Sequence, residues 1–146
     1  MTSTKTISCW VNNNKDFMGC FKASKLPKFP SSFPKSFIVN IYEREKIGHF
    51  VAILLRKDYV IYFDPLAEEP WCKKIVQYLK EYYMHVKVYY CLFPVQDDFS
   101  VKCAHFCSMF ILHVKNLKSF QSYLRMFHKR KLWKNDKIIN YCLSYY

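Results

Sequence analysis

Apolar and polar residues follow one another along this chain in the pattern of a small sheet flanked by helices. Four segments rich in β-branched and aromatic residues predict strands, at residues 37–42, 49–55, 59–63 and 86–91. The second segment is apolar almost throughout, which is typical of a central strand buried on both faces. Lys57-Asp58, between the second and third segments, predicts a two-residue hairpin turn.

Four later or intervening segments predict helices, at residues 69–84, 103–116, 119–128 and 135–145. Residues 1–16 are polar and predict a loose lead-in, and three prolines between residues 22 and 35 predict an extended segment without regular structure. The order β-β-β-α-β-loop-α-α-α predicts an α+β fold, with a central, mostly antiparallel sheet covered by helices. At 146 residues, the chain is long enough for one domain with a sizeable core, over residues 1–146.

Amino-acid composition indicates what kind of partner the protein binds and in which redox environment it works. Hydrophobic residues make up 51% of the chain, which excludes a disordered polypeptide, and the formal net charge of +12 favours polyanionic partners such as nucleic acid. General solubility is the alternative explanation of the charge. The seven cysteines are odd in number and form no CxxC pair, and no stretch of ~18 apolar residues offers a membrane span. We expect a soluble, intracellular protein with free thiols, a monomer without a membrane partner.

The joint between the 92–102 loop and the following helix carries a candidate nucleophile, Cys103. A thiol at a helix start faces unpaired backbone N–H groups and the positive end of the helix dipole, and both stabilise the reactive thiolate. Gln96 lies seven residues upstream on the loop that must fold back over Cys103. Its side-chain amide is suited to donate a hydrogen bond to an oxyanion that forms beside the sulfur.

His49 and Asp64 are polar residues at the ends of two apolar strands of one predicted hairpin. A turn at Lys57-Asp58 places opposite each other residues whose numbers add to 115, so His49 lies across from Leu66. Asp64 is then a diagonal neighbour of His49, within reach of a side-chain contact. A carboxylate there fixes the imidazole tautomer while the other ring nitrogen takes a proton from a thiol. Taken singly, each residue also has an ordinary structural explanation, as a buried histidine, a turn aspartate or a core cysteine.

Taken together and in this order, these residues make the chain resemble the adenovirus-type cysteine proteases (adenains) and their relatives in DNA viruses and large DNA transposons. These proteases are themselves similar to the SUMO-specific proteases. The resemblance covers roughly residues 17–112, and the Gln-to-Cys spacing with the Phe-Cys after it is its most specific part. The matching residues are Phe17, Gly19, Phe21, Leu26, Pro27, Gly48-His49-Phe50, Tyr62-Phe63-Asp64, Gln96 and Cys103-Ala104-His105-Phe106-Cys107.

The resemblance implies a papain-like fold in permuted order and a viral-type cysteine endopeptidase that processes precursor proteins at glycine-containing sites during virion maturation. His49 is then the general base, Asp64 its orienting acid, Gln96 the oxyanion donor and Cys103 the nucleophile. Phe50 stands where the family usually has Trp and keeps an aromatic wall. Ala104 replaces the usual Gly, and we expect its methyl group to narrow the substrate channel.

The resemblance also implies regulation and a location. It indicates no required cofactor, with activation by DNA or by a short basic peptide, and a location in the host nucleus and the virion. The family cysteine that pairs with that peptide has no equivalent at the right spacing, Cys91 being the nearest. The densest basic cluster, beside Trp133, is the candidate DNA-binding segment, formed by Lys129, Arg130, Lys131 and Lys134. Lys73, Lys74 and Lys80 are further candidates.

Three alternatives stay open at the level of sequence. One is a protease of ubiquitin-like proteins (a deSUMOylase or deubiquitinase), which shares the chemistry and differs in its substrate. Another is an inactive nucleic-acid-binding relative, although His49, Gln96 and Cys103 are all present. The third is a zinc module using Cys103, His105 and Cys107, which lacks the usual CxxC spacing; the protease interpretation needs no metal.

Overall fold

A central sheet with its five strands in chain order organises the computed structural model, which describes residues 4–42, 48–68, 72–83 and 87–146. The strands are β1 (Phe17–Lys22), β2 (Lys35–Asn40), β3 (Phe50–Leu55), β4 (Tyr59–Phe63) and β5 (Lys87–Tyr90). The helices are α1 (Thr4–Val11), α2 (Lys73–Tyr82), α3 (Cys103–His113), α4 (Leu117–Arg125) and α5 (Asn135–Leu143), with a 3-10 turn at Leu132–Lys134 before α5. The α+β class predicted from the sequence is confirmed.

The pairing of the strands makes the sheet mixed, so the expectation of a mostly antiparallel sheet is wrong. β2–β3 and β3–β4 are antiparallel, whereas β1–β2 and β4–β5 are parallel. β5 is parallel to β4 because the chain returns through α2, a crossover that brings the next strand back in the same direction. β1 is not among the four strands that the sequence predicts. Its pairing with β2 is interrupted between Phe17 and Cys20, and Gly19 adopts a φ of +132° there.

The β3–β4 hairpin has the register predicted from its turn. Ala52 pairs with Phe63 and Leu55 with Val60, so the numbers of paired residues add to 115. Every residue of β3 is buried, as its nearly continuous apolar sequence predicts for a central strand. Successive residues of β3 face opposite sides of the sheet, with Ala52 and Leu54 in one core and Ile53 and Leu55 in the other.

The two cores have different helical covers. The larger core contains α1, α3, α4 and α5, and the smaller core contains α2 together with Leu26, Phe29 and Phe33 of the proline-rich segment. Residues 23–34 have no helix or strand, as the prolines predict. α3 is buried over most of its length because its sequence is apolar on nearly all sides.

The expected loose lead-in is wrong for residues 4–11, which form α1. Ile7 and Val11 lie four residues apart on one helical face, and both are fully buried in the larger core, where α1 packs against α3. Residues 69–71 and 84 of the helix predicted at 69–84, and Val86 at the start of the strand predicted at 86–91, lie outside the described residues. Across the described ranges, no helix is both long and apolar enough to cross a membrane.

Candidate active site

His49 and Asp64 meet at one end of the β3–β4 hairpin. His49 immediately precedes β3, and Asp64 immediately follows β4. The register brings the two ends together, and His49 Nε2 lies 2.7 Å from Asp64 Oδ1. Both side chains are buried. The contact expected from the hairpin register is therefore present, and it occupies one of the two ring nitrogens of His49.

A tight turn holds the Asp64 carboxylate in place. The backbone N–H of Leu66 donates to Asp64 Oδ1 at 2.9 Å, and the backbone N–H of Glu68 donates to Asp64 Oδ2 at 3.2 Å. Ala67 has a φ of 50°, the left-handed conformation that a non-glycine residue rarely adopts. That strained residue bends the chain back so that Glu68 reaches the carboxylate, which fixes Asp64 toward His49.

Cys103 is the first residue of α3 and lies beside His49. Its thiol points at the Gly48 carbonyl, with 3.8 Å between Sγ and O, and the side chain keeps 8% of its surface exposed. Because Asp64 occupies Nε2 of His49, Nδ1 is the ring nitrogen left to face the sulfur. The side chain of Lys102 does not cap α3, so it does not compete with the thiol for the backbone N–H groups of the first turn.

The pKa of His49 reports the balance of forces in this pair. Burial lowers the pKa, but the hydrogen bonds with Asp64 and with Cys103, together with their negative charges, outweigh burial and raise it to about 9. His49 therefore carries a proton at neutral pH. An imidazolium next to Cys103 stabilises a thiolate and holds the proton that a leaving amine needs.

Gln96 is held in the same region by its backbone and its side chain. The N–H groups of Val95 and Gln96 both donate to the carbonyl of Pro65, the residue after Asp64, at 2.9 and 3.0 Å. The Gln96 side chain donates from Nε2 to the Ser100 carbonyl at 2.9 Å. One of the two N–H bonds of the amide group is thus used, which leaves the other for an oxyanion.

The Gln96 amide is buried but incompletely paired. The residue is 2% exposed, and within the described part of the chain its Oε1 has no hydrogen-bond partner. Buried amide oxygens are rarely left unpaired in a purely structural core, because desolvation without a partner costs roughly 1–3 kcal/mol. The unpaired oxygen is an acceptor suited to an N–H of a bound ligand or to a water, whereas an oxyanion needs the second N–H of the same amide.

Two further residues of the site carry no motif in the sequence. The Tyr42 ring lies over His49, with 5.7 Å between ring centroids, and its hydroxyl donates to Glu68 Oε2 at 3.2 Å. Glu68 in turn binds Asp64 through its backbone. Tyr42 thus forms part of the wall above the imidazole, although it is about half exposed. The conformation of the turn at residues 64–68 brings Glu68 near Tyr42. The sequence does not specify that conformation, so it does not predict this contact.

The expectation for Ala104 is not met. Ala104 is 1% exposed and packs in the larger core, so its methyl group is turned away from solvent rather than into an open channel. Phe50 is also buried in that core, and its carbonyl accepts from the Cys107 thiol at 3.3 Å. Complete burial raises the pKa of Cys107 well above its usual value, which makes this second thiol inert beside Cys103.

The zinc alternative finds no support in the described residues. The ring of His105 packs against Trp10 at 4.8 Å between centroids, and its donor atoms do not group with the thiols of Cys103 and Cys107. Within the searched, described residues, the one cluster of three potential ligands is His49, Asp64 and Glu68. Its histidine nitrogen is already bound to Asp64, and Glu68 is exposed, which is common for carboxylates without a metal.

The candidate DNA-binding residues lie on the exposed segment between α4 and α5, at Lys129, Arg130, Lys131 and Lys134. This segment is distant from the Gln96 loop in sequence, but the two are neighbours in the structure. Lys129 Nζ lies 5.0 Å from the centre of the Phe93 ring, two residues before Val95. Lys129 therefore lies beside the start of the loop that carries Gln96.

The structure thus brings His49, Asp64 and Cys103 into one cluster and connects Gln96 to it through Pro65 and Ser100. Their catalytic roles stay predictions. No protein-family model matches the sequence, and a search among curated proteins finds no significant match.

Proposed function

We propose that this protein is a cysteine endopeptidase with a Cys103–His49–Asp64 triad and Gln96 as oxyanion donor. The observation that carries the proposal is the buried His49–Asp64 pair beside a thiol at the start of a helix. Each partner is ordinary by itself. A nucleophile, a base and an orienting acid in one chain of contacts is the arrangement that nucleophilic catalysis requires.

The proposed reaction proceeds in two half-reactions. The Cys103 thiolate attacks the carbonyl carbon of a peptide bond, and the resulting oxyanion takes the remaining N–H of Gln96. The intermediate collapses as protonated His49 gives its proton to the leaving amine, and a thioester forms. Neutral His49 then takes a proton from water, the hydroxide attacks the thioester, and the thiolate leaves as the acid product is released.

The substrate part of the proposal follows the resemblance to the adenovirus-type proteases. On that ground we propose precursor proteins, cut at glycine-containing sites by a viral-type enzyme. The resemblance favours glycine because members of the family admit only small side chains next to the nucleophile. We propose Tyr42 as the side chain that narrows the approach to the nucleophile, because its ring lies over His49 and Ala104 packs in the core.

A panel of glycine-containing peptides and ubiquitin-like precursors, read by mass spectrometry, tests the proposal. Cys103→Ala should abolish cleavage and remove the fastest phase of labelling by a thiol-directed probe, while the exposed Cys9 is still labelled slowly. Cys9→Ala is the matched control: it removes an exposed thiol far from His49 in sequence and should leave cleavage unchanged. Full cleavage by Cys103→Ala would refute the assignment, and cleavage confined to the ubiquitin-like precursors would replace the viral-precursor substrate.

A further inference from the structure

The first turn of α5 contacts the Gln96 loop at two separate points. Asp136 Oδ1 accepts a hydrogen bond from the Ser100 hydroxyl at 2.8 Å, and Asn135 Nδ2 donates to the Val95 carbonyl at 2.8 Å. Val95 precedes Gln96, and Ser100 accepts the Gln96 side chain. The two contacts therefore bracket the segment that carries the oxyanion donor.

Asn135 is fully buried and uses its whole side chain in this role. Besides the bond to Val95, its Nδ2 donates to the His128 carbonyl at 2.9 Å and its Oδ1 accepts from the His128 N–H at 2.8 Å. A buried amide with three good bonds is rigid, because any rotation leaves polar atoms unpaired. Asn135 thus gives the loop a fixed point in the core.

Ser100 joins the oxyanion donor to the start of the nucleophile's helix. Its carbonyl accepts from Gln96 Nε2, and its hydroxyl oxygen accepts from the backbone N–H of Lys102 at 3.1 Å, directly before Cys103. The same hydroxyl donates its proton to Asp136. The position of Ser100 therefore sets the distance between the Gln96 amide and the Cys103 thiol, and Asp136 sets the position of Ser100.

We infer that Asp136 and Asn135 are positioning residues, which hold the Gln96 amide at the place where an oxyanion forms above Cys103. The inference rests on the proposed function for its catalytic consequence. A residue that acts through Gln96 should affect reactions of Cys103 that form an oxyanion and leave other reactions of the thiol unchanged. That property separates positioning from a general effect on folding.

Two small reagents make this distinction without a known substrate. p-Nitrophenyl acetate acylates a thiol through a tetrahedral oxyanion and releases p-nitrophenol, whereas iodoacetamide alkylates it by displacement of iodide without any oxyanion. Both reactions are followed at Cys103 by the mass of its peptide, because the exposed Cys9 also reacts. Asp136→Ala should slow acylation of Cys103 about tenfold, the size expected for loss of a charge-assisted hydrogen bond, and leave alkylation of Cys103 within about twofold of wild type. Asp136→Asn keeps an accepting oxygen for Ser100 and should restore most of the acylation rate.

Dependence on Gln96 is measured by a double-mutant cycle. In a Gln96→Ala background, Asp136→Ala should have no further effect on acylation, because the group it positions is gone. Lys137→Ala, an exposed change one residue along α5, is the control and should match wild type in both reactions. Additive effects of Asp136→Ala and Gln96→Ala would overturn the inference, as would equal slowing of acylation and alkylation.

An unreactive Cys103 would count against the proposed function. The inference about Asp136 stays testable in that case, because the position of the Gln96 amide can be measured by NMR without any reaction. The side-chain amide resonances of Gln96 are assigned in ¹⁵N-labelled protein by their loss in Gln96→Ala. They should shift in Asp136→Ala and stay near their wild-type positions in Asp136→Asn and Lys137→Ala. Unchanged Gln96 resonances in Asp136→Ala would show that Asp136 does not position this amide.

Discussion

Asp64 holds His49 by Nε2, at 2.7 Å, and so fixes which ring nitrogen is left for Cys103. The turn after β4 gives the carboxylate two backbone donors, from Leu66 and Glu68, which prevent it from rotating away. The His49–Asp64 pair therefore sets both the tautomer of the imidazole and its affinity for a proton. The proton affinity is measurable through the pH dependence of cleavage and of folding stability.

The pH dependence of cleavage is the first prediction. Protonated His49 must supply a proton to the leaving amine, so cleavage should fall as the pH rises through about 9, the raised pKa of His49. Asp64→Asn keeps one accepting oxygen but removes the negative charge that raises this pKa. The alkaline limb of the pH profile should then move to lower pH, with partial activity retained. An alkaline limb that stays in place would remove Asp64 as the partner that sets the proton affinity.

The pH dependence of folding stability is the second prediction, and it also follows from the protonation of His49. Because the folded-state pKa of His49 is raised from 6.5 to about 9, protonation stabilises the fold fully below pH 6.5, and this contribution is lost as the pH rises through about 9. His49→Gln should therefore destabilise the protein most at low pH, and the gap to wild type should narrow toward pH 9. Urea unfolding across that range measures it, and a gap independent of pH would contradict the raised pKa.

Gln96 should act on turnover rather than on substrate binding. Gln96→Ala should lower kcat by ~10²-fold with a smaller change in KM, as expected when one oxyanion donor is removed. Gln96→Glu is the sharper variant, because it keeps the shape of the side chain but replaces the N–H donors with a carboxylate. It should be at least as impaired as Gln96→Ala at neutral pH. An effect confined to KM would make Gln96 a substrate-binding residue instead.

Local sequence determined some of these features and left others open. The His49–Asp64 contact was predictable because a two-residue turn fixes the register of a hairpin, and register fixes which side chains meet. The Ser100–Asp136 bond was not predictable, since the two residues lie 36 positions apart and belong to elements that only tertiary packing brings together.

The errors have comparable physical causes. α1 was missed because two buried residues, Ile7 and Val11, are too few to stand out in a polar stretch. The parallel pairing of β5 follows from α2 acting as a crossover, and not from anything in the sequence of β5 itself. The expectation for Ala104 rests on the resemblance, whereas the burial of its side chain depends on how α3 packs.

Gly48 should not tolerate a side chain. A Cβ at this position would lie 2.9 Å from Asn40 Nδ2, closer than Cβ atoms approach, and 3.1 Å from Phe50 Cε2, closer than most Cβ contacts, so both side chains would have to move. The Gly48 carbonyl accepts from the Cys103 thiol, and His49 follows directly. Gly48→Ala should therefore displace both reacting groups and lower cleavage by about tenfold or more, because small displacements in an active site are costly.

The control for Gly48→Ala is the double variant Gly48→Ala/Asn40→Ala, which removes the nearest obstructing atoms. It should recover part of the lost activity, while Asn40→Ala alone has a smaller effect than Gly48→Ala. Circular dichroism melts of each variant separate local displacement from unfolding. Wild-type cleavage by Gly48→Ala would show that the close approach at Gly48 does not position Cys103.

The basic segment between α4 and α5 offers a test of polyanion binding. Four cations, at Lys129, Arg130, Lys131 and Lys134, are exposed on it. Asn135 holds both the start of this segment, at His128, and the start of the Gln96 loop, at Val95. A polyanion bound there would lie beside the site, so we propose that the segment binds DNA and that bound DNA alters cleavage.

Binding to DNA should depend on charge and be insensitive to base sequence. Fluorescence anisotropy of labelled duplexes over a salt series should give an affinity that falls steeply with salt, because counterion release drives association. Replacing Lys129, Arg130, Lys131 and Lys134 by Ala should reduce the salt slope by about 3.6 units if all four contact phosphates. The matched control replaces four other exposed lysines, Lys5, Lys25, Lys28 and Lys57, and so removes the same net charge. If the two variants lose affinity equally, the binding reflects overall charge and the segment is not a DNA site. If the wild-type protein shows no binding at low salt, the proposal of a nucleic-acid partner fails.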